Sequence, residues 1–437
     1  MISLESIAAG SQSGWVGSLY EFRLGNAEQL LMLYYAMNSG ALAYNEATLA
    51  YGMGALSRFG SYASVGVEGA ADVTNGRYKD DITGGSSGSN LFTDYFGCQK
   101  RDWKSTELSI LLTAAEYDLS VYGNAFRGLG TAVDGNAVNC FPIQRVVGIT
   151  NADGTPGTTV KLASEIRQYF SDDKYEKDAL VNLAFVIERN NRNAPVTFKN
   201  IKLSGKIALI FTDGNGAEPE AQPSGKDFCV GGFMGYVRNA AFINVAIEDL
   251  YIKSPAWAGA LVASSDFDDA LANTTYNSLV VDGCTVERLT IESKRSAGGL
   301  FGNIRMRSSK ELIFRNISVA DSLIRVRTSL AHWRIKDAYA GGLIGNIYNG
   351  SSSVHPIAMS GVTVRGSAVL LESQSYAKKN YAAGGLIGRI SGTSRFEFDG
   401  CTVDGCVVGA YSPVNGSSGF PSDNADAVAG LTGSVYD

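Results

Sequence analysis

The sequence predicts a mainly β protein: a single-stranded parallel β-helix (β-solenoid) behind an irregular α+β N-terminal capping region. Two observations predict it. The phrase Ala297-Gly298-Gly299-Leu300-Phe301-Gly302 returns as Ala340-Gly341-Gly342-Leu343-Ile344-Gly345 and as Ala383-Gly384-Gly385-Leu386-Ile387-Gly388, with second glycines 43 residues apart. Weaker copies start at Val230, Ala258 and Val428. A fixed period of this size is the mark of stacked repeats, in which each unit buries its apolar face only against its neighbours. Composition agrees: 51 glycines against 9 prolines, 45% hydrophobic and 18% charged residues suit tightly turning β structure.

Taken in order, residues 1–107 show no repeat and are assigned to the cap. Asn26 followed by Ala27-Glu28-Gln29 and apolar Leu30, Leu33, Tyr34 and Met37 predicts a helix near 26–38 with Asn26 as N-cap, plugging the open end of the core. Residues 108–228 are read as irregular first coils with long loops. Leu108–Leu112 and the segment to Leu119 are strand-like, the span 141–180 is ambiguous with Ala163–Phe170 fitting a short helix on a loop, and Leu183–Ile187 fills the Gly-Gly strand's place in a degenerate coil.

Residues 229–437 are the regular coils, each with three predicted strands. The Gly-Gly strand has an inward column at Val237, Ile304, Ile347, Ile390 and Val435. A second strand alternates apolar and polar around a column of Asn200, Asn244, Gly283, Asn316, Gly361 and Gly400. Asparagine and glycine share tolerance of positive φ, so this column predicts a corner. A third strand ends at Ile252, Ile291, Ile324, Val369 and Val408. A bare coil needs about 20–30 residues. The surplus falls after the third strand, at 325–338, 372–381 and 410–427, which places three insertions on one flank. The last phrase, at Val428, opens a coil that the sequence does not finish, so the solenoid is expected to continue beyond it.

The chemistry is sparse. A net charge of −6 gives no basic footprint for nucleic acid, and no apolar run is long enough to span a bilayer. Two histidines, His332 and His355, leave little for a zinc site or a hydrolytic triad. The outward columns Lys199–Ile243–Asp282–Arg315–Ser360–Asp399 and Ser204–Glu248–Glu287–Ala320–Arg365–Asp404 hold one acidic pair, Glu248 and Glu287, with nothing evident completing a site around it. The cysteines do not form a disulfide scaffold; Cys284 and Cys401 take core positions. No cofactor is indicated, although Asp213, Asn215 and Glu218 space oxygens as a calcium loop does, short of the EF-hand pattern. The insertion flank is the candidate binding site. Trp333, Arg334 and Lys336 stand near Arg325 and Arg327 in one insertion, Tyr376, Lys378 and Tyr381 in the next, and Tyr411 in the third. Clustered aromatic and basic side chains suit binding of protein or glycan; the same aromatics could instead fold down over the coil corner.

The Gly-Gly-Leu-apolar-Gly phrases at 297–302, 340–345 and 383–388, with the strands ending in Cys284 and Cys401, resemble GLUG-motif bacterial cell-surface proteins. The resemblance implies a right-handed parallel β-helix, a location at the cell surface or outside the cell, and a non-catalytic stalk or adhesin. Its partners would be a host or neighbouring-cell protein or glycan, with no membrane insertion within this chain. Such repeats also occur beside the protease domain of streptococcal immunoglobulin A1 metallopeptidases. The alternative is therefore the accessory region of a secreted peptidase or carbohydrate-active enzyme.

Overall fold

In a computed structural model, the chain is described at residues 19–39, 42–45, 50–53, 107–130, 143–171, 174–175, 182–187, 196–213, 215–218, 228–237, 239–266, 277–306, 309–328, 337–349, 356–373, 380–392, 395–411 and 427–436. It is mainly β, built from parallel sheets. One sheet has 20 strands, a second has seven and a third has six. Equivalent strands of successive repeats are neighbours in each. In the third sheet Phe301–Met306 pairs with Ile344–Asn349 and that strand with Ile387–Gly392, so Ile304, Ile347 and Ile390 form one file continuing to Val435. In the large sheet Ile207, Ile252, Ile291, Ile324, Val369 and Val408 form another. The first five of these are fully buried, so the repeats supply a continuous apolar interior.

The repeats carry four or five strands each rather than three. The Gly-Gly phrase is not one strand; it straddles a corner. Ser296–Gly298 belongs to the seven-stranded sheet and Phe301–Met306 to the six-stranded one. The reason for the glycines lies in the next repeat. A Cβ on Gly299 would overlap the carbonyl oxygen of Gly342, one on Gly342 that of Gly385, and one on Gly385 that of Gly430. Backbone meets backbone at this corner, which leaves room for hydrogen only.

The predicted Asn/Gly column is a corner in the left-handed region, with φ of 59° at Asn200, 50° at Asn244, 65° at Gly283, 53° at Asn316, 61° at Gly361 and 58° at Gly400. A second left-handed corner follows five residues on, at Gly205, Asp249, Arg288, Asp321, Gly366 and Gly405. It carries no uniform residue signature, and sequence reading passes over it.

In the N-terminal part, the helix Ala27–Ser39 starts with Asn26 Oδ1 accepting from the Gln29 amide at 2.9 Å. Leu30, Leu33 and Tyr34 are buried. The Tyr34 ring lies 5.4 Å from Phe126, which begins a train of rings through Phe185, Phe233 and Phe242 to Phe301 and Phe314 in the regular repeats. Leu19–Leu24, inside the segment read as cap, pairs in parallel with Glu107–Leu112 and so belongs to the large sheet. Ala163–Phe170 is not a helix but part of the strand Thr158–Ser171, paired along its length with Ile201–Thr212. Burial of Leu162, Ser164 and Ile166, alternating with half-buried Ala163 and Glu165 and exposed Arg167, shows the strand period. Asn182–Leu183 pairs with Cys229–Val230, the place expected for the degenerate Gly-Gly strand. At the other end the last described level is less covered: Phe398 is 39% exposed where its file-mate Phe314 is fully buried.

Candidate functional site

The flank after the third predicted strand is built by five parallel neighbours: Ile201–Thr212, Ala246–Ser254, Thr290–Ser293, Leu323–Thr328 and Ala368–Ser373. The inward file is aliphatic. The alternate, outward file reads Lys253, Glu292, Arg325 and Leu370, one residue per repeat. In a second file of the register Arg327 pairs with Glu372 and Glu372 with Tyr411. Opposite charges thus stand about 4.8 Å apart along the stack.

Lys253, Glu292, Arg325 and Arg327 of these files wall a cleft of about 120 Å³ whose apolar side is Leu209, Ile210, Phe211 and Pro255. Phe211 is held edge-on by Phe228, with ring centroids 4.8 Å apart. Glu372, with its side chain only 10% exposed, lies 3.1 Å from Arg325 Nε and 3.3 Å from Arg327 Nε. The Arg325 contact is off the N–H direction, so it is an ion pair rather than a hydrogen bond. Glu292 accepts from the Tyr251 hydroxyl at 3.0 Å and stands 3.9 Å from Arg325. Burial, then Glu292, pushes the Tyr251 hydroxyl well above its usual range, so it stays protonated as the donor. Lys253 pairs with Glu218. Lys294 also lines the cleft, and its burial lowers its proton affinity.

The structure places the predicted site residues unevenly. Trp333, Arg334, Lys336, Tyr376 and Lys378 lie outside the described residues, as do both histidines. Tyr411 ends the strand Val407–Tyr411. Tyr381 is not a flank residue: it sits in Asn380–Gly384, 4% exposed, within the apolar core, so its ring covers the interior. The insertions are also shorter than predicted, because the strands Leu323–Thr328 and Ala368–Ser373 run on through Arg325, Arg327 and Glu372. The parts of the cleft that sequence reading missed are Lys253, Glu292 and Lys294. Their signal was a charge one or three residues after the Ile252–Ile291–Ile324 file.

One further expectation changes. The acidic pair Glu248 and Glu287 is not isolated. Arg288 donates from Nε to Asp249 at 2.7 Å, pairs with Glu248 and reaches Glu287 at 3.3 Å, while Lys202 binds Glu248 at 2.7 Å. Hydrogen bonds from Lys202 and Arg288 hold the Glu248 carboxyl low, and one from Arg288 does the same for Asp249. In the proposed calcium loop, Asp213 Oδ1 accepts from the amides of Asn215 and Ala217, at 2.8 and 2.9 Å, and Glu218 faces Lys253. Among the described residues no cluster of three or more His, Cys, Asp or Glu is placed to hold a metal.

Cys284, Cys401 and Cys406 are free thiols. Cys284 is fully buried, and burial pushes its thiol up to about 12, which keeps it an inert core residue. Among the described residues no helix is long and apolar enough to cross a membrane. No family model matches the chain, and neither a curated protein nor a solved structure matches it.

Proposed function

We propose that the chain is a right-handed parallel β-helix from a bacterial surface protein, a stalk or adhesin outside the cell that binds a host or neighbouring-cell protein or glycan through one flank. The carrying observation is the cleft: charged side chains from successive repeats converge on one side, beside an apolar wall, where the loops leave the sheets. A stack of at least seven levels, the strand count of the second sheet, extends about 30 Å at the spacing of paired strands. That length suits a spacer that also presents a side.

A catalytic reading finds less support. A glycosidase-type acid needs a carboxyl that stays protonated near neutral pH. Glu248 and Asp249 are instead held ionised by Lys202 and Arg288.

An array of glycans and extracellular proteins tests the proposal. The expected result is at least one ligand whose binding falls about tenfold or more in Arg325→Gln/Arg327→Gln, in line with loss of charge-assisted contacts. An array silent for the folded chain, or binding indifferent to the double variant, would leave only the spacer role.

A further inference from the structure

The stack of repeats is covered at one end and open at the other. The helix Ala27–Ser39 buries Leu30, Leu33 and Tyr34 against the interior. At the opposite end Arg395–Asp399, Thr402–Asp404 and Val407–Tyr411 each pair with the preceding repeat, and among the described residues no strand pairs with their far edges. The apolar files reach this end without a cover. Phe398 is exposed where Phe314 is buried, Leu431 is exposed where Leu386 is buried, and Cys401 is half-buried where Cys284 is fully buried. At Gly430 a Cβ would meet nothing, whereas at Gly385 it would meet the following repeat's carbonyl. Free strand edges beside apolar surface favour association.

We propose that this end is an interface between two copies of the chain, related by a two-fold axis and joined along Arg395–Asp399. The segment Arg395-Phe396-Glu397-Phe398-Asp399 is self-complementary when laid antiparallel on itself about Glu397. Arg395 of each copy then stands opposite Asp399 of the other, and Phe396 opposite Phe398. Phe396 and Phe398 continue the buried files of Ile357 and Met359. Their rings already stack within one copy, with centroids 5.7 Å apart, so the join gathers four rings over the open interior. Glu397 meets its own counterpart, which is unfavourable; Arg395 Nη2, 3.0 Å from Glu397 Oε1, offsets it. A partner of unrelated sequence would have no reason to match this pattern. Because both copies use the same patch, assembly closes at two.

Sedimentation equilibrium of the full chain, read beside the alkylation rates of its mapped thiols, tests this. The expected result is a monomer–dimer equilibrium in which dilution speeds alkylation of Cys401, while Cys284 stays unreactive. Arg395→Asp and Asp399→Arg should each weaken the dimer about tenfold, and the double exchange should recover most of that loss. Recovery in the double variant separates a contact between copies from damage to the fold. Should a single variant not fold, Glu397→Gln decides, because Glu397 is exposed; it removes the opposed charges and should tighten the dimer about threefold. A chain that stays monomeric across its soluble range, with Cys401 reactive at every concentration, would overturn the proposal. A dimer indifferent to the charge reversals, or weakened by Glu397→Gln, would overturn it as well.

Discussion

Two corners of the same repeat take the same backbone turn with different residues. The first uses Asn200, Asn244, Gly283, Asn316, Gly361 and Gly400, types that enter the left-handed region at little cost. The second puts Asp249, Arg288 and Asp321 at φ near 50°. Both are braced alike by the next repeat: Gly283 donates its amide to Arg315 O at 3.1 Å, and Arg288 donates to Ala320 O at 3.2 Å. The difference lies in the side chains. At the first corner Asn244 bridges to Asn200 and Asn316 to Asp282. At the second, Arg288 gathers three carboxylates. The parallel neighbour, not residue type alone, holds a corner that a lone turn would avoid.

The largest expected effect comes from Gly205→Ala at the second corner. Gly205 has φ of 97°, and a Cβ there would strike the Leu162 carbonyl. A loss of about 3 kcal/mol or more in a denaturant titration is expected. Gly361→Ala also falls at positive φ, 61°, but its Cβ would meet only ordinary van der Waals contact with Asn316, so it should cost about 1–2 kcal/mol; equal losses at the two sites would dissolve the steric contrast. Arg288 sharpens the comparison next. Arg288→Ala keeps the strained φ and loses the ion pairs, whereas Arg288→Gly relieves the strain, so glycine should be the more stable variant by about 1 kcal/mol. A reversed order would mean that φ is not what distinguishes this corner. The smallest effect is on pH. Because Arg288 keeps Glu248 and Asp249 low in the folded state, their contribution is complete above the unfolded carboxylate range near pH 4 and is lost as the pH falls through the folded values. The difference in thermal midpoint between the protein and Arg288→Ala should therefore shrink on going from about pH 6 to about pH 3.

The sequence made the first corner visible because a column limited to Asn and Gly has one shared property. The second corner hid behind Asp and Arg, whose presence there depends on contacts from other repeats. The files of Ile304 and Ile291 were legible by period alone. The strand at 163–170 was not, since Ala163, Ile166 and Phe170 also fit a helical face, and only pairing with Ile201–Thr212 decides. The flank was legible as a place, through Arg325 and Arg327. Its cleft was not, because Lys253 and Lys294 come from separate repeats and meet Arg327 only once these are stacked. Tyr381 shows the converse: an aromatic next to a predicted loop that turned inward.

At the corners of Gly299, Gly342 and Gly385 the following repeat's carbonyl occupies the space of the missing side chain. Tandem duplication or loss of a whole 43-residue unit preserves that fit, whereas copying part of one sets a methyl against an oxygen. Such a chain can change its reach only in whole steps, and any groove composed across a boundary is inherited or discarded with the unit that completes it.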